Sequence, residues 1–199
     1  MTIDRVQIAT RDAKGVAEAW RRRLGAEEIS SDSIKALRAR RTTLRVGTGE
    51  VELLARRGRS HVFGAGATSL DIPALVSNAT RAGAQHIQEG GQDFIRIEIE
   101  GSPVHFVISP PREVKPAGKL DFLYEVTLLA AHQATAVNYI ARVFGLNTDN
   151  FVTIASELFG YTGVLTLFSP DRLDRFEVIT PTDMTKTLGR YYAREGASF

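Results

Sequence analysis

Five residues of this 199-residue chain combine reactive side chains with corresponding places in the sequence: Arg5, Glu52, His105, Glu125 and Glu177. Arg5 lies in "IDRVQIAT", residues 3–10, which alternates with a period of two. Val6, Ile8 and Thr10 fall on one face, and Arg5, Gln7 and Ala9 on the other. A guanidinium is permanently charged and offers a planar fork of donors to a carboxylate, phosphate or enolate oxygen. Glu52 suits a general base once partly desolvated, and His105 can carry a proton near neutral pH. Together they form a set for proton transfer next to a carbonyl. The same residue types also suit an interior Arg5–Glu52 ion pair with His105 completing a hydrogen-bond network. Both arrangements stay open. Glu125 and Glu177 form a second group. Two carboxylates sharing a site raise at least one pKa, so they hold a divalent metal, act as an acid/base pair, or stand exposed to water. His61, His86 and His132 fall near segment edges and read as surface residues.

These residues are placed by a repeat. The opening strand precedes "RDAKGVAEAWRRRLGAE", where Val16, Trp20 and Leu24 recur at helical spacing and Gly25 stops the helix. Next come "SIKALRARRTTLRVG" and "EVELLAR", joined by a turn at Thr48-Gly49, giving a β-α-β-β-β unit. A second copy runs from "HVFGAGATS" through the helix "DIPALVSNATRAGAQ", stopped at Gly83, to "FIRIEIEG" and "SPVHFVISP". A third runs from "FLYEVTLLA" through "QATAVNYIARVFGLN", stopped at Gly145, to "GVLTLFSP" and "RFEVITP". Counting back from the glycines makes Arg5, Gly64 and Glu125 equivalent in the first strands. Glu52, His105 and Glu177 are equivalent in the last strands. Apolar neighbours (Val51 and Leu53, Val104 and Phe106, Phe176 and Val178) must face the helices, which turns the five reactive residues toward the opposite, concave face.

"PPREVKPAGK", residues 110–119, has three prolines and reads as a linker. Residues 1–109 then form one two-module domain, and residues 120–199 a third module whose fourth partner is absent or truncated. Hydrophobic content of 43% and charged content of 24% are ordinary for a soluble globular protein. The absence of cysteine removes disulfides and thiolate chemistry, and no apolar run reaches membrane-span length. The expected setting is cytoplasmic. The arginine clusters "WRRRLG", "LRARRTTLR" and "ARRGR" read as a solvated basic face, with no nucleic-acid motif beside them. "GTGE" and "GAGA" lack the spacing of a dinucleotide site, so no nucleotide cofactor is expected.

Through "IDRVQIAT…AWRRRLGAE…TTLRVGTGEVELL", "ALVSNATRAGA" and "YEVTLLAAHQATAVNYIARVFGL…RFEVITP", the chain resembles the vicinal oxygen chelate superfamily. That superfamily includes glyoxalase I, bleomycin-resistance proteins, methylmalonyl-CoA epimerase and extradiol dioxygenases. The resemblance implies an α+β fold of tandem βαβββ modules, forming a curled mixed sheet around a ligand cavity, with helices outside. It also implies a metal held by a histidine of the first strand and a glutamate of the last. Arg5, Gly64 and Glu125 stand where that histidine would be, and only Glu52 and Glu177 keep the glutamate. The expected function is binding of a small organic molecule, with lyase, isomerase or dioxygenase chemistry at an altered metal site. The alternatives are non-catalytic sequestration of the bleomycin-resistance type, and a regulatory module whose cavity is filled by side chains. A homodimer is expected, with residues 120–199 supplying the interface. Leu123, Leu129, Ile179, Tyr191, Tyr192 and Phe199 would otherwise leave apolar surface wet.

Overall fold

Twelve strands and four α-helices make up the computed structural model, which describes residues 1–199. Module one comprises β1 (Thr2–Thr10), α1 (Ala13–Leu24), β2 (Glu27–Ile34), β3 (Ala39–Val46) and β4 (Gly49–Ala55). Module two comprises β5 (His61–Thr68), α2 (Ile72–Arg81), β6 (Gln85–Glu89), β7 (Gln92–Ile99) and β8 (Ser102–Ser109). Module three comprises β9 (Glu125–Leu129), α3 (Gln133–Phe144), β10 (Val152–Ser156), β11 (Tyr161–Leu167) and β12 (Arg175–Pro181), followed by α4 (Thr187–Glu195). Gly25 and Gly145 end α1 and α3 in the left-handed conformation, at φ 70° and 64°, which glycine adopts without a Cβ penalty.

Modules one and two form one curled eight-stranded mixed sheet, in the order β2-β3-β4-β1-β5-β8-β7-β6. β1 joins the modules by pairing in parallel with β4 and antiparallel with β5. Module three has its own four-stranded sheet, β10-β11-β12-β9. Val51 and Leu53 pack with Ala17 of α1, while Val6, Val16 and Trp20 lie against that cluster. Val104 and Phe106 pack with Leu75 and Ala79 of α2. The closing strands therefore face the helices as their alternation requires.

Three local features differ from the sequence reading. β6 and β10 are exposed edge strands with no clear apolar alternation. The turn between β3 and β4 is Gly47-Thr48, with Gly47 at φ 61° and Gly49 already in β4. Residues 110–119 contain no strand but are tied down: Ala117 bridges Gly47, and the Lys119 N–H donates to Leu24 O at 2.8 Å.

The outer face of module three is covered within the chain. One apolar cluster contains Phe106 of β8, Leu75 of α2, Ile140 and Phe144 of α3, and Phe176 of β12. α2 and α3 thus lie between the backs of the two sheets. Leu129 and Ile179 are each 4% exposed, and Phe199 packs edge-on against Phe106 at 5.5 Å. Ser198 bridges Leu129 on the free edge of β9. Phe199 thus docks on β8 of the second module, and Leu129 and Ile179 are buried within the chain itself. No helix is long and apolar enough to cross a membrane.

Candidate functional site

A bulge near the start of β1 gives the concave face its charge. The ladder to β5 pairs Ile3 with Ala67 and then Arg5 with Gly66, so Asp4 is extra. Asp4 and Arg5 consequently interact side by side, with Arg5 Nη2 donating to Asp4 Oδ2 at 2.7 Å. Arg5 is fully buried. It also donates to Ser109 Oγ at 2.6 Å and to Glu52 Oε1 at 3.2 Å. Burial alone would lower its pKa, but Asp4, Glu52 and Glu50 outweigh that penalty and hold it above the ordinary arginine value.

Glu52 is committed to these donors. Arg41 Nη1 reaches its Oε1 at 2.9 Å, and Gln7 Nε2 reaches its Oε2 at 2.7 Å. Arg112, from residues 110–119, donates to Glu50 at 2.6 Å and to Asp4 at 2.5 Å. Arg41 also pairs with Asp32 at 2.7 Å. The structure thus brings Arg5 and Glu52 together as an interior ion pair within a larger network.

His105 lies elsewhere on the same face. Along β8, Ser109 bonds Arg5, Val107 joins an apolar cluster with Leu54 and Phe94, and His105 lies beyond. Along β7 the same order runs from Gln92, which bonds Arg41, through Phe94 to Arg96. The concave face is therefore polar at one end, apolar in the middle, and polar again near His105. Two separate cavities result. One of about 270 Å3 is lined by Glu50, Glu52, Arg41 and Arg112. The other, of about 470 Å3, is lined by His105, Phe63, Phe94, Arg38, Arg56 and Arg96 among others. A second bulge leaves Phe63 unpaired, and its ring stacks on His105 with centroids 4.2 Å apart. Burial, then the nearby Arg96 and Arg56, push the His105 pKa down to about 4, so its imidazole is neutral at pH 7.

The ladders also correct the equivalences counted from the glycines. Gln7 lies opposite Glu52, Gly64 opposite His105, and Thr127 opposite Glu177. Arg5 and Glu125 sit two residues earlier, opposite Glu50 and Arg175. Gln7, Gly64 and Thr127 lie 18, 19 and 18 residues before Gly25, Gly83 and Gly145, so the count of 20 back to Arg5 and Glu125 overshot by two. Gln7, Arg41 and Arg112 were missed as site residues. Arg41 was recoverable, since Leu44 and Val46 face α1 and two-residue alternation then turns Arg41 inward. Its cluster is not wholly a solvated face, because Arg41 is 8% exposed.

In module three, Glu125 pairs with Arg175 at 2.5 Å, and the Thr127 hydroxyl donates to Glu177 at 2.6 Å. Burial and then the Glu177 charge raise the Glu125 pKa, against the pull of Arg175. No group of three or more His, Cys, Asp or Glu side chains is arranged to hold a metal ion. In the first modules Arg5, Arg41 and Gln7 already donate to the Glu52 oxygens, and the Arg5 charge would repel a cation. In module three a cation would have to displace Arg175. Neither donor set fits a resident divalent ion.

Paired βαβββ modules curled into a half-barrel, with helices on the outer face and polar groups on the inner, define the vicinal oxygen chelate fold. This chain has that fold. A variant of 4-hydroxymandelate synthase from Streptomyces coelicolor superposes with a TM-score of 0.72 at 14% identity, over 99% of this chain and 68% of that one. Methylmalonyl-CoA epimerase from Mycobacterium tuberculosis matches 55% of this chain and 89% of its own, with a TM-score of 0.44 and 16% identity. A Streptomyces coelicolor methylmalonyl-CoA epimerase matches 55% of this chain and 94% of its own, at 0.46 and 17%. No family model matches the chain, and no curated protein matches it in sequence.

Proposed function

We propose that the chain binds a small organic molecule in the half-barrel of its first two modules and holds it without transforming it. The observation that carries this function is the saturation of Glu52 by Arg5, Arg41 and Gln7. A carboxylate with three donors on its two oxygens is held as an acceptor, and using it as a base would break buried charge-assisted bonds. Lyase, isomerase or dioxygenase chemistry using Arg5, Glu52 and His105 would need those bonds released and His105 brought across the apolar layer.

The remaining cavity suits binding. Its volume of about 470 Å3 falls in the usual range for small-molecule sites, and its walls combine aromatic rings with a few polar groups. The test is a thermal-melt screen of small carbonyl and aromatic compounds, with and without Mn2+ or Zn2+, followed by mass spectrometry of any compound that binds. Compounds should raise the Tm equally in both conditions and be recovered unchanged. Recovery of a converted compound, or stabilisation only with metal, would overturn sequestration.

A further inference from the structure

We infer that the His105 cavity takes an organic anion: a carboxylate or similarly charged head on an apolar, preferably aromatic, body. This ligand class presupposes the binding function proposed above and assigns that function a chemistry. The charge balance of the cavity carries it. Three arginines, Arg38, Arg56 and Arg96, line the walls, and no aspartate or glutamate does. The neighbouring cavity makes the contrast. There Arg41 and Arg112 meet Glu50 and Glu52 directly, and the charges close on themselves.

The three guanidiniums differ in what they already hold. Arg38 makes no ion pair or side-chain hydrogen bond, and it stands at the tip of the β2–β3 turn with φ 49°. A non-glycine residue in that conformation is uncommon. Arg56 has no carboxylate partner. It donates one bond to Leu37 O at 3.1 Å and sits 4.7 Å above the Phe63 ring. Arg96 pairs with Glu98 at 2.9 Å and bonds Gln85, leaving it the most committed of the three. A cavity with two unpaired guanidiniums and one exposed pair is electropositive, and a carboxylate matches their planar forks.

His105 adds direction. Its ring nitrogens make no hydrogen bond within the protein, although the ring is half-buried and stacked on Phe63. Burial first, and then the Arg96 and Arg56 charges, disfavour its imidazolium, so the ring meets a ligand in its neutral form. A neutral imidazole offers one donor and one acceptor, which suits the polar edge of a ligand head. Phe63, Phe94, Ile87 and Leu37 supply the apolar wall for its body.

The test uses 1-naphthoate and its neutral counterpart 1-naphthamide, titrated by calorimetry into the full chain at pH 7. The acid should bind at least about tenfold more tightly, with affinity falling as salt rises. Arg38→Gln and Arg56→Gln should each weaken the acid about three- to tenfold and leave the amide within twofold. Circular dichroism and the Tm should show both variants folded, as expected for side chains at the cavity rim. Equal affinity for acid and amide, or unchanged acid affinity in both folded variants, would overturn the anion assignment and leave small-molecule binding standing. Failure of both compounds to bind at millimolar concentration would overturn the anion assignment and the binding function with it.

Discussion

A buried guanidinium is tolerated only where its donors are answered, and Arg5 shows how closely that condition is met. Its contacts reach Asp4, Glu52 and Ser109, with Glu50 at 3.8 Å. Room for the side chain comes from Gly66, where a Cβ would overlap the arginine stem. Gly64 does the same for Gln7, since a Cβ there would lie 2.7 Å from Gln7 Oε1. His105 obeys the opposite logic: it is half-buried without a charged partner of opposite sign and faces Arg56 and Arg96. Its unfolded form takes a proton near pH 6.5, whereas the folded form waits until about 4. Between those values the unfolded chain binds more protons, so this residue's share of stability is present above about 6.5 and lost as pH falls toward 4. Urea unfolding at pH 7 and pH 5 should show His105→Gln losing about 1–2 kcal/mol less than the parent over that interval. Equal losses would show that His105 is not held neutral.

At the scale of elements, one turn of module two caps the start of α3. Glu100, between β7 and β8, accepts from the backbone N–H groups of Ala131 and His132 at 3.1 and 2.6 Å, and from Tyr192 at 2.7 Å. His132 is the N-cap of α3 but makes no capping bond with its side chain. The carboxylate of another module thus supplies acceptors that the start of this helix lacks locally. Glu100→Ala should cost about 0.5–2 kcal/mol, with hydrogen exchange accelerated first in the opening turn of α3. Acceleration spread evenly over both sheets would argue against a local cap.

No sequence signal pointed to Glu100, because it acts across more than 30 residues of chain. Elements with their own periodicity were legible: α1 and α3 with their glycine stops, and the closing strands with apolar neighbours around Glu52, His105 and Glu177. β6 and β10 were not, because exposed edges impose no alternation. The site was half legible for a related reason. Alternation gives the face a residue points to, so Arg5, Glu52 and His105 were placed on the concave side. It does not give height along a curled sheet, and a bulge such as that at Asp4 shifts the register without any compositional mark.

Across the whole molecule, Phe106 is the residue where both sheets and the C-terminal segment meet. Its ring lies 4.8 Å from Phe144, 5.1 Å from Phe176 and 5.5 Å from Phe199, each edge-on. It is 1% exposed and belongs to a core that also contains Leu75 of α2 and Ile140 of α3. A core shared in this way couples the modules, because unfolding module three would expose the back of β8 as well as its own helix face. Thermal unfolding should therefore be a single cooperative transition for the full chain. Phe106→Ala leaves a cavity in that shared core and should cost about 3–5 kcal/mol, lowering one Tm rather than splitting the transition. Polar interactions at the periphery, such as Asp174 accepting from the Ile3 N–H at 2.8 Å, orient the two units but leave their apolar cohesion to this cluster. Calorimetry distinguishes the cases directly. Two separable transitions in the parent, with only one displaced by Phe106→Ala, would show that the sheets are stable apart and that the aromatic cluster merely joins them.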